Sequence, residues 1–304
     1  MQVHFGIGLL RAEWRKSIAC VGTFDGVHLG HQAVILEAVR QAREAELPCV
    51  LVTFDRNPAS VVAPEKCPKT VAGLQENLAV FKALGVSVTV VLPFDNDLSQ
   101  MPAEEFLRVV LTRSIRATSV VVGHDFAMGK GRQGTAEWLA TQMPTTIVPP
   151  FQIDGTRVSS SAIRSAVAEG RMEDAARWLG RYFAVSGVVV GGQKLGRQIG
   201  FPTINIARSF DQTVPAEGIY AGWATVPQGR YMAAVSIGVR PAVGGGNQTL
   251  EAYMLDYPGD SVYGMAVELE LVKKLRDEWN FPSLDDLVKQ IQRDVEQTRL
   301  TLIS

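Results

Sequence analysis

Short, valine-rich apolar runs alternate with amphipathic stretches through the first half of the chain. Runs at Ser17–Val21, Cys49–Phe54, 86–92, 119–122 and Thr145–Val148 lack polar alternation, the pattern of parallel strands buried on both faces. Between them, a 3.6-residue spacing predicts helices over 32–45, 74–84, 103–111 and 135–142. In the first of these, Val34, Ile35, Ala38, Val39 and Ala42 form one apolar stripe. Such a βαβ series predicts a doubly wound parallel sheet, α/β in class, with ligand at the carboxyl ends of the strands. Residues 159–180 read as two short helices, after which the pattern becomes strand-rich. Runs at Phe183–Val190, 219–225, 231–237, 250–255 and 267–272, parted by glycine-bearing turns, predict a small antiparallel β-barrel. A closing helix is expected from Ser283, with Asp286 three residues on as a capping-box-like start, towards Leu302. The change of pattern near 180–182 predicts two domains, 1–180 and 181–304.

The 304 residues are enough for a packed core in each. Charge is nearly balanced, 30 Lys and Arg against 31 Asp and Glu, with no basic block. This argues against nucleic acid as the main ligand and for small molecules. Cys20, Cys49 and Cys67 have no Cys-x-x-Cys spacing, and two lie in apolar runs, so reduced structural thiols in a cytosolic protein are expected. The first sixteen residues lack the apolar core of a signal peptide, and no run reaches membrane length. The expectation is a cytoplasmic protein without membrane partners, a monomer or weak homo-oligomer.

The stretch Gly22-Thr23-Phe24-Asp25-Gly26-Val27-His28-Leu29-Gly30-His31 joins the first long strand to the first long helix. Its glycines let the backbone approach a ligand, and the helix start supplies unpaired N–H groups and a positive dipole end, so a phosphate is favoured there. His28 and His31, three apart, can converge on it as donors. Asp25 suits a turn-holder or indirect metal partner better than a base. The decapeptide resembles the adenylyl-transfer signature of the nucleotidylyltransferase superfamily, in the longer form of the bacterial bifunctional riboflavin kinase/FAD synthetases. That resemblance implies phosphate contacts from Gly22, Phe24, Asp25 and Gly30, with His28 and His31 catalytic.

Further segments extend the likeness. Gly123-His124-Asp125-Phe126-Ala127-Met128-Gly129 resembles a family loop that would bring Asp125 to the nucleotide or flavin phosphate, with Met128 replacing an aromatic. Ser159-Ser160-Ser161-Ala162-Ile163-Arg164 resembles the family's triphosphate grip, implying roles for Ser160, Ser161 and Arg164. Phe54-Asp55-Arg56-Asn57-Pro58 stands where the family has a histidine, so Asn57 would contact FMN or nucleotide as an amide.

In the second half, Gly196-Arg197-Gln198-Ile199-Gly200-Phe201-Pro202-Thr203-Ile204-Asn205, preceded by Gly191-Gly192-Gln193-Lys194-Leu195, resembles the riboflavin kinase signature. The resemblance assigns Gly192, Lys194, Gly196, Arg197 and Gly200 to a loop over the ATP phosphates. Thr203 and Asn205, two apart on an extended segment, present a hydroxyl and an amide oxygen from one face to a hard cation, expected to be Mg2+. Phosphorylating a primary alcohol needs a carboxylate near its proton, and Glu251 matches the family's glutamate. Arg276, Glu278 and Phe281 resemble a flavin-side segment. Departures occur at Arg240, Ala242 and Val243, where the family has asparagine, threonine and phenylalanine. The implied activities are phosphorylation of riboflavin to FMN and adenylylation of FMN to FAD, with ATP as co-substrate of both. Alternatives are another nucleotidylyltransferase with an unrelated barrel, or a flavin-binding regulator whose kinase site has decayed.

Overall fold

In the computed structural model, residues 1–8, 10, 12–191, 196, 199–208, 211–240, 247–259 and 261–303 are described, with backbone alone at 239, 240, 247 and 248. The chain divides into two compact units, Met1–Ser160 and Ser161–Ser304. The sequence expectation places its boundary twenty residues later, the difference being the two short helices.

The first unit is built on β1 (Gln2–Phe5), β2 (Ser17–Val21), β3 (Cys49–Phe54), β4 (Val88–Leu92), β5 (Ala117–Gly123) and, past two-residue strands β6 (Ala127–Met128) and β7 (Gly134–Thr135), β8 (Thr145–Val148). These form a parallel sheet in the order β1-β4-β3-β2-β5-β8, while β6 pairs with β7. Every residue of β2 and of β4 is buried, as a strand covered on both faces requires. From β2 the chain runs one way to β3 and β4 and the other way to β5 and β8. The carboxyl end of β2 is therefore a topological switch point, where open α/β sheets bind ligand.

Helix α1 (Leu29–Glu44) buries the expected stripe of Val34, Ile35, Ala38, Val39 and Ala42 against the sheet core. Helix α3 (Leu74–Ala83) shares this face of the sheet, while α5 (Ala103–Phe106), running on as a π-helix over Leu107–Ser114, and α6 (Ala136–Gln142) bury their apolar residues on the other; α2 (Ala59–Val62) and α4 (Asn96–Gln100) are short. The Cys20 thiol, hydrogen-bonded with Cys49 and buried, is held well above the usual thiol range, as expected of an unreactive core thiol. The unit ends with the hairpin β9 (Gln152–Ile153) and β10 (Thr156–Arg157).

The second unit opens with α7 (Ser160–Ala168, which begins on the last residue of the first unit) and α8 (Met172–Leu179). Its core is a closed antiparallel barrel of β11 (Phe183–Val190), β12 (Thr203–Arg208), β13 (Gly218–Val226), β14 (Gly229–Arg240), β15 (Asn247–Met254) and β16 (Ala266–Arg276), ordered β11-β12-β15-β14-β13-β16. Closure removes the edges that five separate runs would leave exposed. Helix α9 (Leu284–Ile303) follows and packs on β13, β14 and β16.

Candidate functional site

At the switch point the turn after β2 is shaped by its own side chains. Phe24 is buried beneath Gly22, where a Cβ would stand 2.9 Å from the ring, and meets His31 edge-on at 5.4 Å and Phe81 at 5.8 Å. Phe24 and Val27 both take positive φ, 50° and 40°. For a β-branched residue this is a strained conformation, and such strain concentrates at ligand clamps. Gln32 donates to the Val27 carbonyl at 2.9 Å, which helps hold the turn.

His28 caps α1: its Nδ1 accepts the His31 backbone N–H at 3.2 Å. A neutral ring so engaged carries its proton on Nε2. The His28 and His31 rings stack with centroids 3.6 Å apart. His31 Nδ1 is buried and has no hydrogen-bond partner. Burial first, and the charge of His28 second, hold the His31 imidazolium well below the usual histidine range. Gly30 makes the stack possible, since a Cβ there would lie 3.1 Å from His28 Cε1.

Asp25 accepts the backbone N–H groups of Val71 at 2.8 Å and Ala72 at 3.4 Å, tying that loop to the turn. Ser160 donates its hydroxyl to the Asp25 carbonyl at 3.0 Å, so Ser160, Asp25 and the histidines are brought together. Asp125, just beyond β5, holds Arg157 at 2.6 Å, and Arg132 donates to its carbonyl at 3.1 Å. Arg157 was not singled out in the sequence; only its basic character two residues before Ser159 pointed to it. Asn57 accepts the Ala59 N–H at 2.9 Å and so starts α2. Ser161 and Arg164 belong to the second unit, where Arg164 donates to the Ser161 hydroxyl at 3.1 Å. Met128 is buried in the sheet core.

On the barrel, β12 and β15 pair Asn205 directly opposite Glu251, and β14 sets Ser236 opposite Glu251 on its other side. Cross-strand partners share a face, so the three form one row, with Thr203 two residues along. The Thr203 hydroxyl donates to Glu251 Oε2 at 3.2 Å. Leu250 and Ala252, either side of Glu251, are buried, which leaves Glu251 half-buried on the outer face. Phe201 donates its N–H to the Gly196 carbonyl at 2.8 Å and packs edge-on against Tyr253 at 5.4 Å. Gly200 has φ 88°, a left-handed turn that favours glycine. Gly192, Lys194 and Arg197 lie outside the described residues, as do Ala242 and Val243 and the side chain of Arg240.

The Glu278 carboxylate stands over Gly238, where a Cβ would be 2.5 Å from Oε1. Partial burial raises its carboxyl above the usual range; Glu217 adds to the rise, Arg276 opposes it and Glu251 adds further. Arg276 itself is not directed outward. Its guanidinium grips Asp294 of α9 through two nitrogens, at 3.0 and 2.7 Å, beneath the rings of Trp279 and Phe281. Asp294 was invisible to sequence reading, being eighteen residues away on a helix whose spacing predicts only a solvated charge. Among the described residues no three His, Cys, Asp or Glu side chains converge as a metal cluster. An oxygen-only set of hydroxyl, amide and carboxylate, as at Thr203, Asn205 and Glu251, does fit a hard cation carried by a nucleotide.

A doubly wound sheet with a stacked histidine pair in the glycine turn at its switch point, followed by a closed barrel bearing the Asn205–Glu251–Ser236 row, has the make-up of a two-unit nucleotide-dependent transferase. The family described as FAD synthetase matches residues 10–162, and that described as riboflavin kinase matches residues 179–302. A bifunctional riboflavin kinase/FMN adenylyltransferase of Haemophilus influenzae is 35% identical over 285 residues, 92% of each chain. Its namesake in Bacillus subtilis is 31% identical over 297 residues, 95% of this chain and 93% of the other. A crystal structure titled macrolide-efflux protein, from Streptococcus pneumoniae, superposes with a TM-score of 0.90 at 29% identity, covering 98% of this chain and 99% of that one. The chain belongs to the bifunctional riboflavin kinase/FMN adenylyltransferase family.

Proposed function

We propose that this protein makes both flavin cofactors in sequence. Residues 181–304 phosphorylate the ribityl 5′-hydroxyl of riboflavin with ATP, giving FMN and ADP. Residues 1–180 then let an FMN phosphate oxygen attack the α-phosphorus of a second ATP, forming FAD as pyrophosphate leaves. The observation that carries this reading is the presence, in one chain, of the stacked His28–His31 turn and of the Thr203–Glu251 pair facing Asn205.

In adenylylation no protein nucleophile is needed, and catalysis is positioning plus charge stabilisation. His28 offers Nε2–H to the phosphates, His31 backs it as a neutral ring, and the start of α1 adds backbone N–H groups. Ser160, Ser161 and Arg164 grip the leaving phosphates, while Asp125 and Asn57 face the flavin nucleotide. In phosphorylation, Glu251 takes the proton of the attacking hydroxyl while Thr203 holds the carboxylate in place. Gly192, Lys194, Gly196, Arg197 and Gly200 cover the ATP phosphates. Thr203 and Asn205 would hold Mg2+, which when bound neutralises charge on the transferred phosphoryl group. Glu278 and Phe281 flank the flavin. No helix among the described residues is long and apolar enough to cross a membrane. On this reading the enzyme is cytoplasmic and acts on small molecules.

The test is to incubate purified protein with riboflavin, ATP and magnesium, and to separate riboflavin, FMN and FAD. His28→Ala is expected to cut FAD formation from FMN by about 10²- to 10³-fold and to leave FMN formation intact. Glu251→Gln is expected to abolish FMN formation with little loss of riboflavin affinity, since glutamine keeps the shape but cannot accept the proton. Wild type that binds riboflavin yet yields no FMN would overturn the kinase assignment. Loss of both activities in folded His28→Ala would overturn the two-site assignment.

A further inference from the structure

The segment that follows β16 carries Glu278, Trp279 and Phe281, and it owes its shape to a buried ion pair with the C-terminal helix. Asp294 is 4% exposed, and the Arg276 side chain is only 11% exposed. Arg276 donates to Asp294 through Nε and through a terminal nitrogen, while Gln290 donates to the same carboxylate at 2.9 Å. The remaining guanidinium nitrogen donates to the Asp277 carbonyl at 2.9 Å and so holds the turn out of β16. The cationic plane then lies 4.7 Å from the Trp279 ring centre and 5.7 Å from that of Phe281. A buried fork of this kind fixes orientation better than it stabilises, because the desolvation cost consumes much of the attraction.

What it orients is unusual for a surface. Trp279 stays 53% exposed, with Phe281 6.5 Å away, and Glu278, the residue before Trp279, stands over Gly238 on the side of the barrel that carries Glu251. An exposed indole with a half-buried phenyl ring beside it, next to a carboxylate, suits a planar, apolar ring that also carries N–H donors. Arg276 cannot meet that ring with its charge, since its fork is spent on Asp294.

We propose that Asp294 is a positioning residue for the flavin side of the kinase site, acting through Arg276 on the Glu278–Phe281 shelf. This inference rests on the kinase reading above. Without Asp294 the guanidinium loses its anchor, the stack under Trp279 loosens, and the shelf no longer presents a preformed surface to the isoalloxazine.

The experiment is steady-state kinetics on the full chain carrying Asp294→Asn. That variant preserves shape and the Gln290 contact but removes the charge. Riboflavin KM should rise about five- to tenfold with kcat changed less than about threefold, while ATP KM and FAD formation from FMN stay at wild-type values. Arg276→Lys keeps a cation but neither fork nor plane, and should give the same KM shift; it also carries the test should Asp294→Asn fail to fold. The double variant should be no worse than either single one, as expected for residues acting through one pair. Folded variants with unchanged riboflavin KM, or with ATP KM raised equally, would overturn the positioning role. Wild type that forms no FMN would instead strike the kinase reading itself.

Discussion

The histidine pair shows how far single positions were legible. The spacing of His28 and His31 beside three glycines predicts that the two side chains converge at a helix start, but not that His28 serves as the N-cap of α1 or that its ring lies flat on His31. That stack exists because Gly30 has no side chain, and it makes Gly30 a sensitive test. Gly30→Ala would put a methyl 3.1 to 3.2 Å from the His28 ring, pushing it aside by a few tenths of an ångström. FAD formation should fall about tenfold, FMN formation should hold, and the melting temperature should not drop, because alanine suits a helix better than glycine does. Unchanged FAD formation would mean the stack is incidental. His31 makes a second prediction through pH. Its folded-state pKa lies well below the ordinary 6.5, so folded His31 stays neutral where the unfolded chain takes up a proton. Stability from this group is therefore complete above about pH 6.5 and is lost as pH falls from there towards the folded value, at up to about 1.4 kcal/mol per pH unit. Urea midpoints of wild type and His31→Gln from pH 7.5 to 5 should show a steeper decline in wild type; parallel curves would contradict the assignment.

Elements were legible where burial was complete. The strands Ser17–Val21 and Cys49–Phe54 stand as expected because five consecutive buried residues leave no other reading. β1 carries no strand signal in the sequence, since Gln2–Phe5 lies at the sheet edge with Val3 and Phe5 exposed and has no buried run. The sequence of β12 reads as an extended segment but carries no barrel-strand signal, because only Ile206 of its six residues is buried. The sixth strand is what closes the barrel, and it is also the strand that faces Thr203 and Asn205 towards Glu251. Thr203 and Asn205, the proposed cation ligands, thus sit on the barrel strand with the fewest buried residues among those described, as expected where side chains serve a ligand rather than a core. α1 begins at Leu29 rather than near Gln32, because the His28 cap pulls the first turn back into the glycine motif. The helix expected over 103–111 shifts after one turn to π geometry; periodicity alone gives no sign of that change.

The molecule as a whole divides by the company its two short helices keep. Their amphipathic pattern was clear, but nothing in it says which core they cover. α8 buries Met172, Ala175 and Leu179 and packs on β11 and β16 of the barrel. Just before it, Gly170 at φ 77° comes so close that a Cβ would stand 2.9 Å from Lys274 Cδ and 3.2 Å from the Tyr220 hydroxyl. The Ala216 N–H also donates to the Val167 carbonyl at the end of α7. A barrel cut at residue 181 would therefore expose surface it normally covers. Two large side chains and one small one returned to water cost about 3–6 kcal/mol, against a total domain stability of about 5–15 kcal/mol. Residues 161–304 are predicted to be soluble alone and to phosphorylate riboflavin, with no FAD formed. Residues 181–304 are predicted to melt at least about 10 °C lower. Thermal unfolding and FMN formation on both fragments make the check. Equal melting temperatures would show that the helix pair contributes nothing to the barrel. A soluble 161–304 fragment that binds riboflavin but yields no FMN, beside an active full chain, would mean that the kinase depends on residues before 161.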